Sequence, residues 1–133
     1  MKSLEYMIDL EQSVNPQSSV AATVNGDAIE RQGAHEALMI CGVGAATGSP
    51  TSFTAIFKVQ DSPDGSTWTD VSGATVTISA DDDEAAVRIP SAYNADSKYR
   101  VVCTLAFVGG STPAQLLYGG ILLSQLPSEP SSI

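Results

Sequence analysis

Turn-forming residues interrupt this chain at short intervals, and their spacing limits the folds that it can adopt. Ser62-Pro63-Asp64-Gly65 and Gly109-Gly110-Ser111-Thr112-Pro113 are two of these interruptions. The stretches between turns are rich in Val, Thr, Ser and Ala and have about strand length, and no long apolar stripe follows the 3.6-residue period of a helix. We therefore predict an all-β chain of about eight strands, spaced roughly ten residues apart.

Alternating apolar residues identify the strands that face a core. Every second residue from Phe53 to Val59 is apolar, so one face of this strand points inward. The segment 98–108 alternates in the same way and becomes apolar on both faces towards its end, which predicts a central strand. Such spacing is typical of an antiparallel β-sandwich. An immunoglobulin sandwich would place a tyrosine two residues before Cys103, where Val101 lies, so we predict the jelly-roll type.

Three glycine-containing pairs are interpreted as interruptions of strands. Asn25-Gly26 is the dipeptide best suited to a two-residue hairpin turn, so we expect two strands to pair across it. Ser72-Gly73 separates two short runs that each have strand length. Gly119-Gly120 is expected to break the last apolar strand, which extends over Ala114 to Leu126.

The 133 residues amount to one domain, which we divide into an N-terminal arm (1–16), a β-sandwich domain (17–126) and a flexible C-terminal tail (127–133) rich in Pro and Ser. The first ten residues hold no apolar run long enough for a signal peptide. No segment approaches the roughly 20 apolar residues of a membrane span, so we expect no membrane partner.

The charge balance argues against a nucleic-acid partner. Fifteen acidic residues against six basic ones give a formal charge of −9, whereas a polyanion binder needs a basic field to displace counterions. The acidic residues are concentrated between Asp61 and Glu84, a stretch with seven of them and no Lys or Arg. Such a field keeps a surface soluble and can steer a basic protein partner.

No catalytic or metal-binding constellation emerges from the residue types. His35 is the single histidine and lies in a turn-like sequence, while Cys41 and Cys103 lie in apolar stretches where cysteine behaves as a small buried hydrophobe. We therefore expect no disulfide, no catalytic residues, no metal site and no cofactor. Asp81-Asp82-Asp83-Glu84 is interpreted as a solvated acidic turn, with a bound cation as the alternative. Trp68 is interpreted as a tryptophan at the rim of the core, with a sugar-binding platform as the alternative.

The segment 57–71, with the sequence Phe-Lys-Val-Gln-Asp-Ser-Pro-Asp-Gly-Ser-Thr-Trp-Thr-Asp-Val, is followed by Lys98-Tyr99-Arg100-Val101 and Gly109-Gly110-Ser111-Thr112-Pro113. Together these segments resemble small virion proteins of tailed bacteriophages, above all the capsid cement or decoration proteins. The resemblance covers Asn25 to Leu123. It implies a jelly-roll that sits as a homotrimer on the outer surface of the capsid, binds the major capsid protein, is made in the host cytoplasm and has no catalytic residues.

Two apolar patches are candidate protein interfaces. Tyr6, Met7 and Ile8 form one in the arm, which either docks on a neighbour or is an edge strand of its own sheet. The other is the apolar outer face of the segment 98–108, which either contacts another subunit or is covered by the chain's own loop. It consists of Val102, Ala106 and Val108.

The sequence thus predicts a non-enzymatic virion protein that binds the outside of a phage capsid and stabilises it. The alternative is a carbohydrate- or receptor-binding β-sandwich module of a phage tail or adhesin. That module would present Trp68 and Tyr93 in one exposed groove.

Overall fold

The chain folds into two packed antiparallel sheets. The computed structural model describes residues 8–30, 36–89 and 98–124, without the side chains of Ile8, Asp9 and Ser124. The nine strands in the described residues are β1 (Ile8–Ser19), β2 (Ala22–Asn25), β3 (Ile29–Glu30), β4 (Glu36–Thr47), β5 (Ser52–Ser62), β6 (Thr69–Ile78), β7 (Glu84–Ile89), β8 (Lys98–Val108) and β9 (Ala114–Ser124). The described residues contain no helix that is long and apolar enough to cross a membrane.

The order of the strands is that of a jelly-roll. The first sheet has the order β1-β9-β4-β7, so the first and last strands of the chain are neighbours. The second sheet has the order β2-β8-β5-β6, and β3 also pairs with β8. Because β2 and β3 follow one another along β8, they act as one interrupted strand, and each sheet then has four strands. The predicted all-β sandwich of jelly-roll type is therefore confirmed.

The core lies between the sheets and contains the side chains that the alternation identified. Phe53, Ala55, Phe57 and Val59 of β5 are all buried, and they face buried residues of the first sheet. β8 is the central strand that its apolar pattern predicts, since it pairs with β5 on one side and with β2 and β3 on the other. The buried partners contributed by the first sheet include Val14, Met39, Cys41, Val43, Leu117, Ile121 and Leu123.

Asn25-Gly26 is not the predicted hairpin turn. β2 and β3, on either side of it, pair with β8 rather than with each other, and the Gly26 N–H donates to the Val101 carbonyl over 2.8 Å. A Cβ at Gly26 would overlap the hydroxyl of Ser13 and would lie 2.6 Å from the Val101 oxygen. Glycine is needed here because two backbones approach closely, and its freedom to adopt positive φ is not used.

Gly119-Gly120 does not break the last strand, which runs without interruption from Ala114 to Ser124. A Cβ at Gly119 would lie 2.9 Å from Cγ1 of Val101 in the opposite sheet, and one at Gly120 would lie 2.8 Å from the Glu11 carbonyl oxygen. Ser72-Gly73 likewise lies inside one strand, β6, as a bulge. Gly73 has a φ of +86° there.

Residues 8–16, which the sequence assigns to the arm, form most of β1 instead. Leu10 lies opposite Leu122, and pairing with β9 continues to Ser19. β9 pairs with β4 on one side and with β1 on the other, and β1 contributes Val14 to the core. The segment 8–16 therefore belongs to the sandwich. The rest of the arm and the tail 127–133 lie outside the described residues.

The hydroxyl of Ser13 joins the two sheets. Ser13 lies at a bulge of β1 and is 2 % exposed. Its Oγ donates to the Asp27 carbonyl over 2.7 Å and accepts the backbone N–H of Val101 over 2.8 Å. The Asp27 N–H donates to the Ser13 carbonyl over 2.7 Å. This side chain therefore pairs two backbone groups that the interruption between β2 and β3 would leave without a partner.

Replacing Ser13 with alanine should lower the free energy of unfolding by about 1–3 kcal/mol, because the Val101 N–H and the Asp27 carbonyl would lose a buried partner. Urea unfolding monitored by circular dichroism measures the change. Ser18→Ala on the same strand is the control, since Ser18 is exposed. Equal losses of stability in the two variants would contradict this role.

Candidate docking surfaces

The first sheet presents an apolar outer face to solvent. The register places Leu10, Leu122 and Leu38 side by side on three neighbouring strands, pointing away from the core. Leu10 is 57 % exposed and Leu116 is 49 % exposed. Apolar surface that is gathered on one face of a protein often marks a contact site. We define the apolar outer face by its members Leu10, Leu38, Ile40, Leu116, Tyr118 and Leu122.

Glycines keep a trough open in the middle of the apolar outer face. Gly120 lies between Gln12 of β1 and Ile40 of β4, so no side chain fills the space between these two. The resulting groove has a volume of about 170 Å³ and is lined mainly by apolar atoms. Leu10 and Tyr118 also line it. This groove is suited to an apolar group of a partner.

Tyr118 connects three strands across this face. Its ring lies over Gly42, where a Cβ would overlap the phenol, and its hydroxyl donates to Oε2 of Glu84 over 3.0 Å. Desolvation raises the pKa of Tyr118, and the bond to the Glu84 carboxylate raises it further. The side chain is therefore held flat against the sheet, and it forms one rim of the groove.

The structure separates the residues predicted as interfaces. Tyr6 and Met7 lie outside the described residues, and of Ile8 only the backbone in β1 is described. Val102, Ala106 and Val108 share the outer face of β8, but Val102 is only 3 % exposed. Ala106 is exposed and Val108 is 61 % exposed, so the open part of this patch is its far end.

The hairpin that carries the family resemblance is built as its sequence predicts. The Asp64 carboxylate accepts the N–H groups of Ser66 at 2.8 Å and Thr67 at 2.9 Å, and the Ser62 hydroxyl accepts the Gly65 N–H at 2.8 Å. Gly65 has a φ of +81°, the left-handed conformation that favours glycine. These backbone bonds, led by those from Thr67 and Ser66, lower the pKa of Asp64.

Trp68 is covered on one side by a cation. The Arg100 guanidinium lies 4.4 Å from the centre of a Trp68 ring, and its Nε donates to Gln60 over 2.9 Å. Gln60 in turn donates to Asp70 over 2.8 Å, so this arrangement is fixed across three strands. Trp68 is half-buried and packs under a charged group of the sheet surface, as a rim residue would. Tyr93, its predicted companion in a sugar-binding groove, lies outside the described residues.

The acidic run forms an exposed turn whose carboxylates serve separate partners. Oδ1 of Asp81 accepts the Ala46 N–H at 3.3 Å, and Oδ1 of Asp83 accepts the N–H of Glu84 at 2.9 Å. Among the described residues, no group of three or more His, Cys, Asp or Glu side chains could hold a metal ion. His35 is outside that part of the chain.

Cys41 and Cys103 are free thiols in the core, one on each sheet. Burial raises the pKa of each thiol to about 12, with a smaller contribution from Cys103 to the shift at Cys41. Since the thiolate is the reactive species, both side chains are inert in the folded chain.

No protein-family profile matches this sequence, and no curated protein matches it. Among solved structures, a chain described as Desmodium yellow mottle tymovirus is similar, with a TM-score of 0.40 and 10 % sequence identity. The superposition covers 95 % of this chain and 90 % of that chain. A proposal about function therefore depends on the surfaces described above.

Both thiols should resist an aromatic disulfide reagent at pH 8 in the native protein and react in guanidinium chloride, because the core excludes water and holds the thiolate fraction low. Absorbance of the released thiolate counts the reactive groups. Rapid reaction in buffer would contradict the burial, and no reaction after unfolding without reductant would reveal a disulfide.

Asp64 should stabilise the hairpin in a pH-dependent way. Because its pKa is lowered in the folded state, its contribution is present above its unfolded pKa of about 3.9 and is lost as the pH falls through the folded value. The difference in thermal midpoint between the wild type and Asp64→Asn should therefore shrink from pH 7 to pH 2.5. A difference that stays constant across this range would contradict the assignment.

Proposed function

We propose that this chain is a non-enzymatic structural virion protein that binds the outside of a tailed-phage head and stabilises it by contacting the major capsid protein. Two features support the proposal. The segment that resembles phage cement proteins forms a well-ordered hairpin, β5–β6, with its turn bonded as the motif requires. The hairpin belongs to a jelly-roll, the fold that the resemblance implies.

The fold does not choose between functions by itself, since jelly-rolls occur in viral capsids, in lectins and in cupins. The surface of the sandwich favours one of these functions over the others. The apolar outer face of the first sheet is the observation that carries the proposal, because its exposed leucines offer aliphatic area to a partner. Removal of such area from water contributes about 25 cal/mol per Å² to association.

A carbohydrate-binding module would need a different surface. Sugar rings stack on exposed aromatic faces, whereas one face of Trp68 is occupied by Arg100. The side chains of the apolar outer face are mostly aliphatic, and its one aromatic ring, Tyr118, lies flat over Gly42. This surface suits a protein partner better than a polar ligand.

The net charge supports a position outside the shell. A protein with a formal charge of −9 is repelled by packaged DNA, and the exposed Asp81–Glu84 turn adds to that field. We place the apolar outer face against the capsid. Ile8 is the first residue of the strand that carries Leu10, and Tyr6 and Met7 precede it in the sequence; we propose that the three extend the same contact. The homotrimer that the resemblance implies stays a prediction. Ala106 and Val108 are the exposed residues of β8 that would form its contact.

Leu116→Lys and Leu10→Lys should each weaken capsid binding about tenfold or more, because each puts a charge where an apolar side chain is buried on docking. Co-sedimentation with empty expanded heads, assembled from the major capsid protein of the same genome, measures the effect. Ile56→Lys on the other sheet is the matched control and should bind as the wild type does, since Ile56 is an exposed apolar residue of β5 outside both candidate interfaces. All variants are first checked for an unchanged thermal midpoint.

Two outcomes would overturn the proposal. The wild-type protein would fail to sediment with the heads, or it would bind and Leu116→Lys and Leu10→Lys would bind equally well. Specific retention on a glycan array, together with no binding to heads, would favour the carbohydrate-binding alternative.

A further inference from the structure

β7 is a sheet edge without a bulge or a proline between Glu84 and Ile89. Among the described strands it pairs only with β4, in an unbroken register from Ala37 opposite Ile89 to Gly42 opposite Glu84. The other described edges are interrupted: β1 has two irregularities and Pro16, β6 has a bulge, and β2 has four residues. Bulges, prolines, short strands and charged side chains all keep edges from pairing, and of these β7 has only the charges of Glu84 and Arg88 among its described residues.

The register shows which backbone groups of β7 point outward. The Val43 N–H donates to the Asp83 carbonyl over 2.9 Å, so Val43 and Asp83 form a hydrogen-bonded pair. In an antiparallel ladder such pairs alternate with non-hydrogen-bonded ones. Ala85, Val87 and Ile89 therefore bond to β4. The N–H and C=O groups of Glu84, Ala86 and Arg88 point away from the sheet.

The side chains of this edge are complementary to themselves. Glu84, Ala86 and Arg88 are all exposed and share the outer face of the sheet. If two copies pair antiparallel with Ala86 opposite Ala86, Glu84 of each copy lies opposite Arg88 of the other. All three outward-pointing residues then fall in hydrogen-bonded pairs. Shifted registers lose overlap or place charges opposite alanine or like charges, which are less favourable.

We propose that two copies of this chain associate through β7, antiparallel about a two-fold axis at Ala86, with two Glu84–Arg88 pairs between the copies. The backbone groups of three residues per strand supply the hydrogen bonds of the contact. The two Glu84–Arg88 pairs fix the register of the contact, since only this alignment places Glu84 of each copy opposite Arg88 of the other.

Existing contacts prepare both charged groups for this role. Glu84 uses Oε2 for the Tyr118 hydroxyl, and within the described part of the chain its Oε1 has no partner and can accept from a guanidinium. Arg88 touches Glu36 through Nη2 at 3.2 Å, with 75 % of its side chain exposed, so it has further donors to offer. The contact joins the first sheets of the two copies into a single sheet of eight strands. This inference does not depend on capsid binding.

The backbone part of the proposal is tested with Ala86→Pro. Proline removes the outward N–H at the centre of the contact and takes no hydrogen bond from the β4–β7 ladder. Native mass spectrometry of the full chain should show the wild type at twice 13.8 kDa, or at six times that mass where the homotrimer also forms, and this variant at half the mass of the wild type. A wild type that is monomeric at 100 µM, on the order of one hundred times a micromolar Kd, would overturn the inference.

The register is tested by exchanging charges. Arg88→Glu and Glu84→Arg should each weaken the dimer about tenfold, because each sets like charges opposite one another in both pairs. An equimolar mixture of these two variants should restore dimers, as every pair across the contact is then of opposite sign. Lys98→Glu, which breaks the distant Lys98–Glu30 ion pair and changes the charge as Arg88→Glu does, is the control and should leave the dimer unchanged.

Three results would overturn the two-fold contact even if Ala86→Pro failed to fold. The first is a mixture of Arg88→Glu and Glu84→Arg that forms no dimers. The second is equal weakening by Lys98→Glu. The third is a wild-type trimer whose mass none of these charge variants changes. None of these three results bears on capsid binding, which co-sedimentation measures. Either proposal can therefore fail without the other.

Discussion

The buried hydroxyl of Ser13 is the contact on which the arrangement of the two sheets depends. The interruption between β2 and β3 leaves backbone groups without ladder partners, and a buried one such as the Val101 N–H would cost about 1–3 kcal/mol if it stayed unpaired. Ser13 satisfies two of them from the opposite sheet, and the absence of a side chain at Gly26 gives it room. The same bulge that directs Ser13 inward fixes β1 beside β9. That pairing gives the apolar outer face its first row, in which Leu10 lies beside Leu122.

The sequence predicted the features that depend on local patterns. Alternation located the buried face of β5 and the bounds of β8, because a strand with one or two covered faces needs apolar residues at fixed spacing. The turn at residues 62–65 was also predictable, since proline, aspartate and glycine each have a preferred place in it. The class of fold followed from the number and spacing of such segments, and the jelly-roll type followed from the missing immunoglobulin residues, such as a tyrosine at the position of Val101.

The features that the sequence did not predict depend on contacts between distant segments. Gly26, Gly73 and Gly119 looked like turns or breaks, yet they serve close approach or a bulge, and nothing local distinguishes these uses. The apolar outer face was missed for the same reason. Its leucines come from three strands that only the register brings together, although the apolar residues on both faces of the segment 116–123 were a usable signal. The hydrophobic character of Val102 was recognised, but its burial depends on its neighbours in space.

The pairing of β1 with β9 also sets the time at which this chain can fold. The first strand of the first sheet pairs with positions 115–124, so its partner residues lie 96 (Ser19 and Gln115) to 116 (Ile8 and Ser124) positions further along the chain. Ribosomal synthesis adds about 5–20 residues per second, so β9 is synthesised several seconds after β1. Closure of so long a loop makes folding slow compared with helical proteins of this length. The nascent chain therefore passes through a stage in which Val14 and Leu10 are unpaired, and this is the stage at which a chaperone would be most useful.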